Sequence, residues 1–328
     1  MTLIGSTLTR WMLPALCLAA GMAHAQTYPT KPVTWVVPFA AGGPTDALAR
    51  NIADRVSREI GQPILIENAP GAGGTVGAAK AARAPADGYT FLVGHVGYMA
   101  AAPSLYSKLS YDPVKDFEGV FRFPDTPLVL LVGANSPYKT VQDLVAHAKA
   151  NPGKLNFGNA GVGSTSHLVA AMFAQKAGIK ITPVAYKGAG PALTDVMGGQ
   201  VDGMFDQTNT ALPQVSGGKV RGIAQTATRR VPQFSQVPTV AETVVPGFEA
   251  STWYGLYAPK GVPKEVVARV YAAWGKALQD PAFVKRLADQ GIQMLPDAQY
   301  APAALTQHTA SEVVKWKKVI ADANIKLD

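Results

Sequence analysis

One cysteine, Cys17, occurs in the 328 residues. It lies in an N-terminal segment with the marks of a secretion leader: the basic residue Arg10, an apolar run from Trp11 to Met22, then Ala23-His24-Ala25, the small-x-small pattern of a signal-peptidase site. Cleavage after Ala25, with 1–25 as signal peptide, leaves Gln26 first and a mature chain without a thiol. That excludes disulfides, zinc-thiolate sites and a cysteine nucleophile, and it suits an oxidising compartment, where a stray thiol is a hazard. Leu16, before Cys17, stands where a lipoprotein site needs a small residue. Long hydrophobic runs are lacking too: the leader's run is broken by Pro14 and falls short of the roughly 20 residues that span a bilayer, so a permanent anchor is not expected.

Other absences narrow the chemistry. The formal charge is +8, but the basic residues are scattered, clustering no further than Arg229-Arg230 and Lys315 with Lys317-Lys318. Aromatic-interleaved basic patches of nucleic-acid binders are missing, so nucleic acid is not a partner, while a moderate positive field attracts small anions. The mature histidines, His95, His147, His167 and His308, form no short-spaced pair of the kind that holds a metal, and no metal or cofactor is expected. There is no G-x-S-x-G elbow. Ser164 and Ser166 beside His167 are sequence neighbours that point apart on one helix, so they make no triad, and the chain is not read as an enzyme.

What is present is an α/β pattern with ample core, hydrophobic residues making up 48% of the chain. Short β-type runs at Val33–Phe39, Ile64–Glu67, Thr90–Val93, Leu128–Val132, Leu155–Phe157, Ile181–Tyr186, Val201–Phe205 and Val220–Ala224 alternate with helical patterns, which argues for parallel sheets. Leu48, Ile52, Val56 and Ile60 recur at i+4 and stop at Gly61, an amphipathic helix with a glycine end. Further helices are expected at 165–176, at 264–278 and near the C-terminus, where Val313, Val314, Trp316, Val319 and Ile320 mark an apolar face.

One unit occurs twice: strand, glycine-rich loop, helix. The copies are Val36 to Asp46, containing Phe39, Ala40, Ala41, Gly42, Gly43 and Thr45, and Asn156 to His167, containing Asn159, Ala160, Gly161, Ser164, Thr165 and Ser166. They lie about one domain length apart, so each of two domains can present one loop to a shared cleft. Glycines let backbone approach a ligand, and the helix start adds unpaired N–H groups and the positive end of its dipole, which together make an anion site. Asp46 would repel an anion if it pointed inward and is assigned a first-turn or water-holding role. A third glycine cluster, Gly71 to Gly77, resembles a dinucleotide loop, but the next strand ends in Gly94-His95 and supplies no acid for a ribose, so packing or cleft lining is expected there.

With these residues in view the chain resembles the extracytoplasmic solute-binding proteins of tripartite tricarboxylate transporters, the Bordetella uptake gene (Bug) family. The landmarks are Tyr28-Pro-Thr-Lys-Pro32, Val37 to Gly43 with Asp46, Glu67-Asn68 with Pro70 to Gly74, Asp87-Gly-Tyr-Thr90, Gly163-Ser164 with His167, Tyr186-Lys-Gly188 with Pro191 and Asp195, and Pro238 to Glu242; together they cover the mature chain. The resemblance implies a type II periplasmic-binding-protein (Venus-flytrap) fold, α/β, with domain one at 26–126 plus 250–328 and domain two at 127–249. It implies a small carboxylate ligand held by the loops around Phe39–Asp46 and Asn159–His167, transfer to membrane permease subunits, and a monomer. His95, Tyr98 and Met99 are expected either near the cleft mouth or in ordinary core packing. Asp206 and Gln207 fall on the far side of the cleft, where Asp206 suits a hydroxyl or amine better than a second carboxylate. A ligand-sensing receptor subunit and, less favoured, a secreted enzyme acting on a carboxylate remain as alternatives.

Overall fold

A computed structural model describes residues 28–322 and Ile325; the leader reading at 1–25 lies outside them. In chain order the first lobe contains β1 (Val33–Val37), α1 (Pro44–Ile60), β2 (Ile64–Asn68), α2 (Thr75–Ala82), β3 (Thr90–His95) and β4 (Phe117–Arg122). The chain then crosses into β5 (Thr126–Gly133), α3 (Val141–Ala150), β6 (Asn156–Asn159), α4 (Thr165–Ala177), β7 (Thr182–Ala185), α5 (Ala189–Met197), β8 (Gly203–Gln207), α6 (Thr208–Ser216) and β9 (Val220–Gln225). It returns through β10 (Ser251–Thr252) and β11 (Tyr254–Pro259) to α7 (Lys264–Leu278), α8 (Pro281–Ala288) and α9 (Pro302–Asp322).

Two sheets result. The first runs β2-β1-β3-β11-β4, the second β10-β5-β8-β6-β7 with β9 also paired to β5. The expectation of parallel sheets needs correction. The β1–β2, β1–β3, β6–β7 and β6–β8 pairs are parallel, as βαβ crossovers require, but the two strands that carry the chain between lobes, β5 and β11, run antiparallel to their neighbours. Each lobe owns a core. In the first, Leu48, Ile52, Val56 and Ile60 of α1 pack beside Trp35, Phe121 and Trp274, with the Phe121 and Trp274 rings stacked at 4.9 Å. In the second, Leu128, Leu130, Phe157, Phe173 and Phe205 are fully or almost fully buried together. As the i+4 pattern predicts, α1 ends at Gly61, whose φ of +80° is the left-handed conformation that a glycine stop provides.

The lobes are closed on each other. The Ala40 N–H donates to the Lys187 carbonyl at 3.2 Å, the Asn209 amide to the Pro44 carbonyl at 3.0 Å, and the Thr208 hydroxyl to the Gly291 carbonyl at 3.0 Å. Of the 71–77 glycine cluster, residues Gly71 to Gly74 lie in this seam. Gly73 has φ +62°, and a Cβ there would overlap the carbonyl oxygen of Val162 in the opposite lobe. Only glycine therefore permits the backbones to meet at this point. Replacing Gly73→Ala is expected to leave both lobes folded, by circular dichroism, while preventing full closure. Amide exchange at Ala40, whose N–H bridges the seam, should then accelerate about tenfold or more; unchanged exchange would show that the Gly73 contact does not limit closure.

Candidate functional site

Between the closed lobes lies a small cavity of about 20 Å³. The first lobe lines it with Phe39, Gly43, Pro44, Thr45 and His95, the second with Leu128, Ala160, Ser164, Thr165, Ser166, Ala189, Phe205, Asp206 and Gln207. Four helices begin at this cavity, α6 among them, since its cap Gln207 lines the wall. Gly43 caps α1, Ser164 caps α4 and Gly188 caps α5, and neither glycine cap brings a side chain to occupy the first-turn N–H groups. The starts of α1 and α5 face one another: a Cβ on Gly43 would stand 3.6 Å from the Gly190 nitrogen and 3.8 Å from that of Ala189. No lysine or arginine lines the cavity, so the positive potential there comes from aligned peptide dipoles, each helix start favouring an anion by about 0.3–1 kcal/mol, and up to about 2 when partly buried.

His95 shows how the polar groups are aimed. Its Nδ1 accepts the Gly97 N–H at 3.0 Å, which places the ring proton on Nε2, and Nε2 lies 2.8 Å from the Thr165 hydroxyl oxygen across the seam. The ring donates to Thr165, leaving that hydroxyl's proton free to point into the cavity. Burial pushes the His95 pKa down to about 3, so the ring is neutral and orients a donor without adding charge. The Ser166 hydroxyl accepts the Ala160 N–H at 2.9 Å, and the Ser164 hydroxyl caps α4 by accepting the His167 N–H at 3.4 Å. Tyr254 of β11 donates to the Gln207 side-chain oxygen and meets the Thr45 hydroxyl at 3.3 Å, a further link between lobes beside the cavity.

Of the residues singled out from sequence, the cavity brings together Phe39, Gly43, Thr45, His95, Ala160, Ser164, Thr165, Ser166 and Asp206. The others fall elsewhere. Ala40 spends its N–H on Lys187, and Ala41 and Gly42 are exposed in the turn before α1. Asp46 is buried but faces its own lobe, accepting from the Gly42 N–H at 3.0 Å, Arg50 at 3.0 Å and Asn68 at 2.9 Å. Burial alone would raise its pKa, but these donors outweigh it and hold the carboxyl below its usual value. These contacts tie it to the turn before α1 and to β2. Asn159 and His167 line a separate pocket on the other side of α4, where they brace the loop by accepting the N–H groups of Gly161 at 3.0 Å and Gly163 at 3.3 Å. Gly161 opens onto the seam groove with Val162 and Gly71 to Gly74.

Of the two places expected for Tyr98 and Met99, core packing is the one they take. Both are fully buried in the first lobe and do not reach the cleft mouth; Tyr98 donates to the Val93 carbonyl and stacks on His95 at 5.3 Å. Pro44, Leu128, Ala189 and Phe205 join the lining without having been placed in the candidate site from sequence, while Gln207 lines it beside Asp206 on the far side of the cleft. For Ala189 a signal existed, since β7 followed by Gly188 and α5 is a third strand, glycine, helix unit. The Pro213-containing α6, Leu128 and Phe205 carried no such mark.

Residues 48–325 match the model of a protein family described as the tripartite tricarboxylate transporter family receptor, TctC. Among solved structures, the periplasmic binding protein BugD is 38% identical with a TM-score of 0.87, covering 91% of this chain and 99% of its own. MatC of Rhodopseudomonas palustris, with bound malate, is 39% identical with a TM-score of 0.85, covering 89% of this chain and 100% of its own. R. palustris Rpa4515, with adipate, is 36% identical with a TM-score of 0.86, covering 91% and 99%. The match over nearly the whole of both chains accounts for the two sheets, the crossing strands and the inter-lobe cavity alike, and this chain belongs to the TctC family of solute-binding receptors, the Bug group of periplasmic binding proteins.

Proposed function

We propose that the chain captures a small carboxylate in the inter-lobe cavity and presents it, enclosed, to the membrane permease subunits of a tripartite transporter. The lobes that close on the ligand are taken as 26–126 with 250–328, and 127–249. The observation that carries this reading is the meeting of four helix starts at one buried cavity without a basic side chain. Such a site favours an anion through N–H groups and hydroxyls, each hydrogen bond to a charged oxygen contributing about 1.5–3 kcal/mol. The apolar walls, Phe39, Leu128 and Phe205, suit a short carbon skeleton. That MatC and Rpa4515 hold malate and adipate supports the ligand class.

The same geometry argues for binding without turnover. Ser164 and Ser166 accept backbone hydrogen bonds, while His95 turns its proton-bearing nitrogen to Thr165 and is not placed as a base for either serine. On the leader reading of 1–25 the mature protein works in the periplasm, and since both walls of the cavity come from one chain a monomer suffices.

A panel of short mono- and dicarboxylates tested by thermal shift is expected to contain at least one that stabilises the mature protein by about 2.7 kcal/mol at 100 times its dissociation constant. Gly43→Val should weaken that ligand about tenfold or more in calorimetry. Gly43 has an ordinary φ of −82°, so the substitution introduces no left-handed strain and acts by filling the approach between α1 and α5. A panel that shifts no melting temperature would remove the carboxylate reading.

A further inference from the structure

Among the residues lining the cavity, Asp206 alone carries a carboxyl group. It is the penultimate residue of β8 and is 1% exposed. Its Oδ2 accepts the Thr210 hydroxyl at 2.7 Å, while Oδ1 is buried without any hydrogen-bond partner. No lysine or arginine lines the cavity to offset that charge. An unpaired buried carboxylate oxygen is costly, and a site that retains one is incomplete until a donor arrives. The opposite electrostatic character prevails at the starts of α1, α4 and α5. The cavity therefore has an anion-favouring side of N–H groups and a donor-seeking side at Asp206.

We propose that Asp206 is the specificity-determining residue of this site, selecting carboxylates that also carry a hydroxyl or ammonium group placed to donate to its Oδ1. The proposal rests on the carboxylate reading and narrows it. A ligand of this kind sets its carboxylate on the helix starts and its donor on Asp206, satisfying both sides at once. An acid with a bare methylene at that position leaves Oδ1 unpaired, and one with a second ionised carboxylate there is repelled. Burial raises the Asp206 pKa to about 7, against a smaller opposing effect of the Thr210 hydroxyl and the Gln207 N–H. The other titratable groups beside it, His95 and Tyr254, are held neutral by burial. Above neutral pH Asp206 is ionised, and there its attraction for a donor is greatest.

Calorimetry on the mature protein at alkaline pH tests this with matched acids: succinate against L-malate and L-aspartate, and propionate against L-lactate and L-alanine. The donor-bearing member of at least one set is expected to bind the wild type about 10- to 100-fold tighter than its unsubstituted partner. In Asp206→Leu, which fills similar volume and accepts nothing, the ratio should fall below about threefold. Asp206→Asn, which keeps a carbonyl acceptor but no charge, should lose the preference for ammonium and retain part of that for hydroxyl; it also serves if the Leu variant does not fold. Wild-type protein that binds the unsubstituted acids equally well or better, or an Asp206→Leu variant that keeps the preference, overturns the assignment and leaves the carboxylate reading standing. Failure of every acid to bind the wild type overturns both.

Discussion

The arrangement depends on holding an anion in a buried cavity with no cation to neutralise it. Moving a carboxylate out of water is costly unless hydrogen bonds replace its hydration. The chain meets that requirement with backbone: α1, α4 and α5 start at the same place, and two of their caps are glycines that leave first-turn N–H groups uncovered. A lysine or arginine would bind more strongly in isolation, but it would also bind in an open cleft. Dipoles divided between two lobes reach full effect only when the lobes meet, so affinity and closure become a single property.

Closure in turn constrains residues that touch no ligand. The seam brings backbone against backbone at Gly73 and Val162 and at Gly43 and Gly190. Polar groups near the seam each serve two partners. His95 takes the Gly97 N–H and passes its own proton to Thr165; Tyr254 links Gln207 to Thr45. These chains fix hydroxyl directions before a ligand enters, which lowers the ordering cost of binding.

Much of this was legible in the sequence because it is local. The 48, 52, 56, 60 spacing with its glycine stop specified α1, and the repeated strand, glycine loop and helix named seven of the cavity's lining residues. Long-range pairing was not legible. The strand Phe117–Arg122 has a charge near each end and a glycine within, and periodicity cannot tell that β5 and β11 run against their neighbours because the chain crosses between lobes there. Side-chain direction was equally hidden: Tyr98 and Met99 come three and four residues after His95, yet the helical turn after β3 sends them into the core. The family resemblance supplied the architecture that periodicity alone left open.

The central claim is that the ligand joins two lobes that otherwise separate. Small-angle scattering of the mature protein with and without a saturating carboxylate, binding being confirmed by calorimetry, tests it most directly. The radius of gyration should fall on binding, and the bound curve should match that calculated from the closed structure described above. Superimposable curves would contradict the account and point to a rigid, preformed pocket.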